Sequence, residues 1–240
     1  MAQATDASSQ GGEQETSTPW IPGYVDWIVA LIIALGGLGL TIVGTVLVFV
    51  LDRDLLAEGI ESGEITVVFV ERDLTQAEML EFTLEIVNWT GIGLLLTGLG
   101  LVVFAIGYGV GRQRTRGRAE DGYPGTFRSY AVTGATASAV LSFIPFSAIA
   151  GGGVAGYLAT QDTGHSTSVG AFSGLLYSLP GLVIVLFVTI GLYFGLAAVA
   201  EAGLGVVAVA VMAFVMLLVA AYGVGVGALG GFIGGRLAAD

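Results

Sequence analysis

The 240-residue chain contains no cysteine and no lysine, and it has a single histidine. The lack of cysteine excludes disulfides, thiolate metal sites and cysteine nucleophiles. The lack of lysine removes the phosphate-binding Walker loop, and there is no HExxH run. His165 lies in a short polar segment with no acid or cysteine beside it, so a metal or proton-shuttle role would need partners the sequence does not show, and a Ser-His-acid set is not expected around it. No catalytic residue, no metal ligand and no cofactor are therefore expected, and the chain reads as a non-enzyme. Charge of one sign is also scarce. Eight basic residues, all arginine, face nineteen acids, for a net charge of −11. The acids gather in the polar segments, as on a surface kept solvated in strong brine, and the composition reads as that of a halophilic archaeon.

What is abundant is apolar. The chain is 55% hydrophobic and 11% charged, its mean hydropathy is +0.87, and several apolar runs are long enough to cross a bilayer. A single soluble core is excluded, and a multi-pass protein of the cell membrane is indicated.

Ser129 to Thr160 is nearly uncharged, too short for two comfortable crossings and too long for one. Ser129–Ile144 and Pro145–Thr160 are each roughly 24 Å long as helices, against a hydrocarbon core of roughly 30 Å. Pro145 lacks a backbone donor and disfavours helix at Ile144, so the helix breaks there or a second one starts with Pro145 as its first residue. The flanking Phe143, Ile144 and Phe146 offer nothing to hold the break in water. A re-entrant hairpin with its tip in or near the membrane is expected, two short spans or one crossing being the alternatives. Irregular backbone at that depth must be buried in protein.

Residues 1–18 are polar with three acids and no basic residue, and read as a disordered cytoplasmic tail. Residues 19–111 form a two-span module. Trp20, Tyr24 and Trp27 mark the membrane entrance, and Trp27–Leu51 is the first span. An acidic external loop follows at 52–85, with ten acids and two arginines, Arg53 and Arg72. Within it Ile65–Val70 is a β-branched run able to form a short strand, and Thr75-Gln-Ala-Glu78 has capping-box spacing for a helix leading into the second span, Trp89–Gly111. The loop 112–128 carries Arg112, Arg114, Arg116, Arg118 and Arg128, which makes it cytoplasmic and a candidate contact for lipid headgroups. Later spans are Val169–Ala200, with Pro180 as an expected kink, and Gly203–Leu237, separated by a turn at Glu201. A returning hairpin puts Arg236 and the C-terminus on the cytoplasmic side with the N-terminus. A single crossing would put them outside.

Gly223, Gly227, Gly231 and Gly235 recur every four residues at the end of the last span. Between helices in lipid there is little hydrophobic drive, so small residues that let backbones approach decide association. Shorter pairs occur at Gly152/Gly156, Gly170/Gly174, Gly191/Gly195 and Gly107/Gly111. Residues 129–240 thus read as a Gly-rich four-helix membrane domain, whose packing partner lies in the same chain or in another copy. The runs PFSAIAGGGVAGYL (145–158), VGAFSGLLYSLP (169–180) and GALGGFIGGRL (227–237) resemble a family of small Gly-rich polytopic proteins of archaea, especially haloarchaea. That resemblance covers about residues 129–237 and implies four helices, an archaeal cell membrane and no established activity.

Other chemistry is weaker in the sequence. Glu78, Glu81 and Glu85 line one helix face, an arrangement open to a cation site or a solvated surface. Asn88-Trp89-Thr90 matches a glycosylation sequon but adjoins the membrane on a predicted helix. The spans lack the ionisable residues that mark ion-coupled transport. Five arginines without interleaved aromatics do not make a nucleic-acid surface. The fold expected is an all-α integral membrane protein of about six hydrophobic helical segments, including the Pro-broken short hairpin, plus one acidic extracellular loop. The function expected is a structural or assembly role through glycine faces, with membrane lipids, further copies of the chain or other membrane subunits as partners. The alternatives are a channel for a small neutral solute and an accessory subunit of a larger complex.

Overall fold

A computed structural model describes residues 23–66, 74–120, 126–142, 145–162 and 164–239. The expected tail at 1–18, Trp20 and the 67–70 part of the β-branched run lie outside the described residues. Among those described there is no strand. The helices are α1 (Gly23–Phe49), α2 (Arg53–Glu61), α3 (Gln76–Glu120), α4 (Phe127–Val140), α5 (Ser147–Asp162), α6 (Ser166–Ala198) and α7 (Ala202–Leu237).

Four stretches are long and apolar enough to cross a membrane: Asp26–Phe49, Gln76–Gly111, Ser166–Ala198 and Gly203–Leu237. Among the described residues the candidate spans therefore number four, and the two arms of the expected hairpin are not among them. The arms α4 and α5 have 14 and 16 residues, about 21 and 24 Å of helix, and fall short of the hydrocarbon thickness. They run antiparallel, with Gly134 of α4 against Gly151 and Ala155 of α5. Pro145 is exposed in the turn between them, and Phe146 takes φ 64°, so α5 begins at Ser147 rather than at the proline. α4 has already ended at Val140, and the exposure of Pro145 and Phe146 overturns the expectation that the break is buried, since no other segment of the single chain covers it among the described residues. Pro180 stands inside α6, which continues as one helix to Ala198.

Two segments expected as loops are largely helical. In the acidic segment, Asp52 caps α2 by accepting a hydrogen bond from the Leu55 N–H at 3.0 Å, and Leu56 and Ile60 turn inward. The Thr75/Glu78 capping box then starts α3, the Glu78 carboxylate accepting from the Thr75 N–H at 2.9 Å. In the arginine segment, α3 runs on to Glu120. Arg, Gln, Ala and Glu are strong helix formers, and nothing in 112–120 except Gly117 opposes propagation from the span.

Contacts fix the directions. α1 and α3 are antiparallel, Gly37 meeting Gly98 and Gly44 meeting Gly91. α3 runs antiparallel to α6, with Phe82 at Gly195, Trp89 at Gly191 and Gly93 at Phe187. α6 and α7 are antiparallel, Gly174 meeting Gly223 and Gly170 meeting Gly231, while α5 is parallel to α7. One end of the molecule thus carries the last turns of α3, Arg128 and Arg236. The other carries α2, the start of α3 and Glu201. At this acidic end Leu74, Phe82, Leu196 and Val199 form a small core. Towards the arginine end Ala131, Ala155, Ala159 and Val169 form another, built from α4, α5 and α6.

Candidate helix-packing site

The site begins with the missing side chains of α7. A Cβ on Gly227 would press on the Gly170 carbonyl and lie 3.0 Å from the Gly174 Cα. On the other flank, Gly152 and Gly156 of α5 press on the carbonyls of Gly227 and Gly231. Three backbones therefore meet at one crossing. Gly223 touches Gly174 and Ser178, and Gly235 touches Ser166 and Thr160, so the ladder is occupied along its whole length. A second α7 face, Gly230 and Gly234, lies against Ile149 and Gly153 of α5. Burial agrees: Gly152, Gly156, Gly170, Gly174, Gly223, Gly227, Gly231 and Gly235 are all buried.

A second device recurs at these crossings. Thr41, Ser138, Thr160 and Ser178 each donate to the carbonyl of the glycine four residues earlier: Gly37 at 2.9 Å, Gly134 at 3.1 Å, Gly156 at 2.8 Å and Gly174 at 2.9 Å. Each of these hydroxyl oxygens also faces a glycine of a neighbouring helix, Gly98, Gly151, Gly235 and Gly223 respectively. The donor is used within its own helix, which leaves oxygen lone pairs for the facing Cα–H groups, a weak contact that recurs where helices approach closely. Ser173, fully buried beside Gly134, has a hydroxyl with no hydrogen-bond partner, and it packs against the same kind of surface.

The remaining glycine pairs divide. Gly191 and Gly195 receive side chains of α3 rather than helices of the C-terminal half: Trp89 sits in the notch at Gly191, between Phe187 and Phe194 of α6, and stacks on Phe194 at 5.6 Å. A Cβ on Gly107 or Gly111 would meet nothing within 4 Å among the described residues. The chain also contains a packing set that four-residue spacing does not reveal, Gly37 and Gly44 against Gly91 and Gly98. A Cβ on Gly37 would lie 2.7 Å from the Gly98 oxygen, and one on Gly44 would lie 2.6 Å from the Gly91 oxygen. Its sequence signal is a seven-residue interval on both helices, together with Gly-x-x-x-Thr at Gly37/Thr41.

The carboxylates of the acidic stripe have protein partners. Glu78 serves the α3 cap, Glu81 pairs with Arg53 at 2.6 Å on an exposed surface, and Glu85 accepts from the Trp89 indole N–H at 3.1 Å. Among the described residues no group of acids or histidine is placed to hold a metal ion. Asn88 is exposed within α3. His165 stands at the N-cap position of α6 without a side-chain cap bond. Arg114 and Arg128 are exposed, whereas the side chains of Arg112, Arg116 and Arg118 lie outside what is described, their backbone being helical.

Residues 128–237 match the model of a family of unknown function, DUF5518. The matched stretch begins in the first turn of α4 and ends with the last residue of α7. No curated protein and no solved structure matches the chain.

Proposed function

We propose that the protein is a non-enzymatic structural or assembly component of a cell membrane. Its helices associate through glycine faces and it is able to form homo-oligomers. The observation that carries this reading is the three-backbone crossing of Gly152/Gly156, Gly170/Gly174 and Gly227/Gly231. In lipid, contact between helices comes from close packing and weak polar contacts rather than from exclusion of water, and this crossing maximises both. Both termini are assigned to the cytoplasm, because the arginines of α3, Arg128 and Arg236 share one end. We further assign the chain to a haloarchaeal cell membrane on its acidic, lysine-free composition. Sizing in mild detergent at high salt tests the reading. A defined homomer supports it, and foreign subunits that copurify in fixed ratio support an accessory role in a larger complex instead.

One feature favours a channel for a small neutral solute. The break between α4 and α5 falls beside Tyr177, whose hydroxyl lies 3.5 Å from Ser147, near Pro180. Against it, a groove of about 400 Å³ between α6 and α7 is apolar, lined by Leu182, Val183, Leu186, Ala213, Met216 and Leu217. Swelling of proteoliposomes in glycerol or urea separates the two readings. Swelling above protein-free vesicles would replace the structural reading by the channel.

A further inference from the structure

The hairpin occupies only part of the depth of the molecule. Along α3, the distance from Trp89 to Arg112 is roughly 34 Å, about one hydrocarbon thickness, whereas α4 and α5 reach only about 21 and 24 Å from the arginine end. Their contacts agree with this limit. The hairpin meets α6 at Ser173 and Tyr177, and α7 from Gly227 to Gly234, whereas the C-terminal half of α6 receives Phe82, Trp89 and Gly93 of α3. Among the described residues, then, α1, α3, α6 and α7 alone make up the acidic-end part of the molecule, and the same helices plus α4 and α5 make up the arginine-end part.

Among the described residues α3 does not touch the hairpin. At the acidic end α3 lies directly on α6, by Gly195, Gly191 and Phe187. α3 meets α1 from Gly91 to Gly109, and it is α1 that touches α4. The α1–α3 pair thus packs on α6 through α3 at the acidic end and beside the hairpin through α1 at the other. A helix with side chains is roughly 10 Å wide, so two additional helices broaden one half of the body substantially.

We propose that the protein is a membrane wedge, whose preferred partner is a curved bilayer with the arginine-end leaflet on the convex side. The proposal rests on the reading of the chain as an embedded, glycine-packed membrane protein. In a flat bilayer the two leaflets have equal area, so a body that is narrower at its acidic end leaves more area for tails to fill on that side. Bilayer deformation around a protein carries a free-energy cost that depends on its shape. Where the arginine-end leaflet is the expanded one, the wider half is accommodated and that cost falls.

The native chain has no cysteine, so Ala239→Cys places a unique thiol on an exposed residue at the arginine end. The full-length protein is reconstituted into phospholipid vesicles of mixed size. A membrane-impermeant thiol dye then reports copies with that end outward, and a permeant dye of second colour, added afterwards, reports the rest. Single-vesicle fluorescence should show the ratio of outward to inward copies rising by about twofold or more from large to small vesicles, a modest population shift. A ratio independent of vesicle size, or one that falls as vesicles shrink, overturns the wedge while leaving membrane embedding intact. Failure of the protein to float with the vesicles overturns the embedding and the wedge together.

Discussion

The α1–α3 pair and the α4–α7 bundle both join helices at glycines, yet they space them differently. In the pair, the touching glycines are Gly37 and Gly44 on one helix and Gly91 and Gly98 on the other. Contacts repeating every seven residues belong to helices that stay alongside one another at a low crossing angle. In the bundle, Gly152/Gly156, Gly170/Gly174 and the ladder from Gly223 to Gly235 recur every four. Four-residue small faces let backbones touch at a steeper crossing, and they leave room for a third helix. α7 uses that room, since α5 and α6 both reach Gly227 and Gly231. The pair is a two-body contact, whereas the bundle depends on one helix that serves two partners.

The comparison predicts its largest effect at the shared position. Gly227→Leu would drive a side chain into the Gly170 and Gly174 backbone of α6, where no flexible side chain can yield, while the backbone of Gly227 is already held against Gly152 of α5. Overpacking commonly costs about 1–3 kcal/mol, and with two rigid neighbours a loss of about 3 kcal/mol or more is expected in denaturant titrations in detergent micelles. An unchanged midpoint would mean that α7 is not seated between α5 and α6. Gly98→Ala is the matching test in the pair. Its Cβ would meet the Gly37 carbonyl and Thr41, and a loss of about 1–2 kcal/mol is expected. The two sites share no partner, so the double variant Gly98→Ala/Gly227→Leu should be additive within about 0.5 kcal/mol. A larger coupling would mean that the two regions do not pack independently.

Much of this arrangement is legible in the chain, and what is not has a physical reason. The hairpin follows from length alone, because Ser129–Thr160 fits neither one crossing nor two and Pro145 forbids a continuous helix. Four-residue glycine intervals are visible as a local pattern, but a pattern does not name its partner: Gly191 and Gly195 turn to Trp89 and Phe82, and a Cβ on Gly107 or Gly111 would point into open space among the described residues. The seven-residue set was harder to see, since among 39 glycines such intervals arise easily. Charge was misleading at 112–120, where arginine content argues for a cytoplasmic loop while the same residues favour helix. The acidic stripe posed the converse problem. Its partner Arg53 lies 28 residues before Glu81, a separation that no local pattern conveys.

A smaller effect separates the hydroxyl device from the glycines themselves. Ser178→Ala removes the bond to the Gly174 carbonyl and the oxygen facing Gly223 but keeps the Cβ. Polar contacts between membrane helices average about 0.6 kcal/mol, and a loss of that order is expected. Ser178→Thr, which restores the hydroxyl with an added methyl beside Gly223, distinguishes the two contributions. If it is less stable than Ser178→Ala, the space at Gly223 outweighs the oxygen.

The smallest effect on the single chain is expected where glycines face outward. Gly107→Ala and Gly111→Ala place methyl groups where nothing lies within 4 Å, and alanine is the better helix former by up to about 1 kcal/mol in an exposed helix interior. The monomer should therefore be unchanged or slightly stabilised, in contrast to Gly98→Ala on the same helix α3. The assembled state need not follow. If these positions seat a second copy, the same methyl groups would hold two backbones apart, and the homomer seen by sizing at high salt would dissociate at lower dilution while the unfolding midpoint of each chain held. If dissociation is also unchanged, the outer face of α3 meets lipid, and any homo-oligomer must form through another face, the exposed residues of α7 between Val206 and Tyr222 being the next to test.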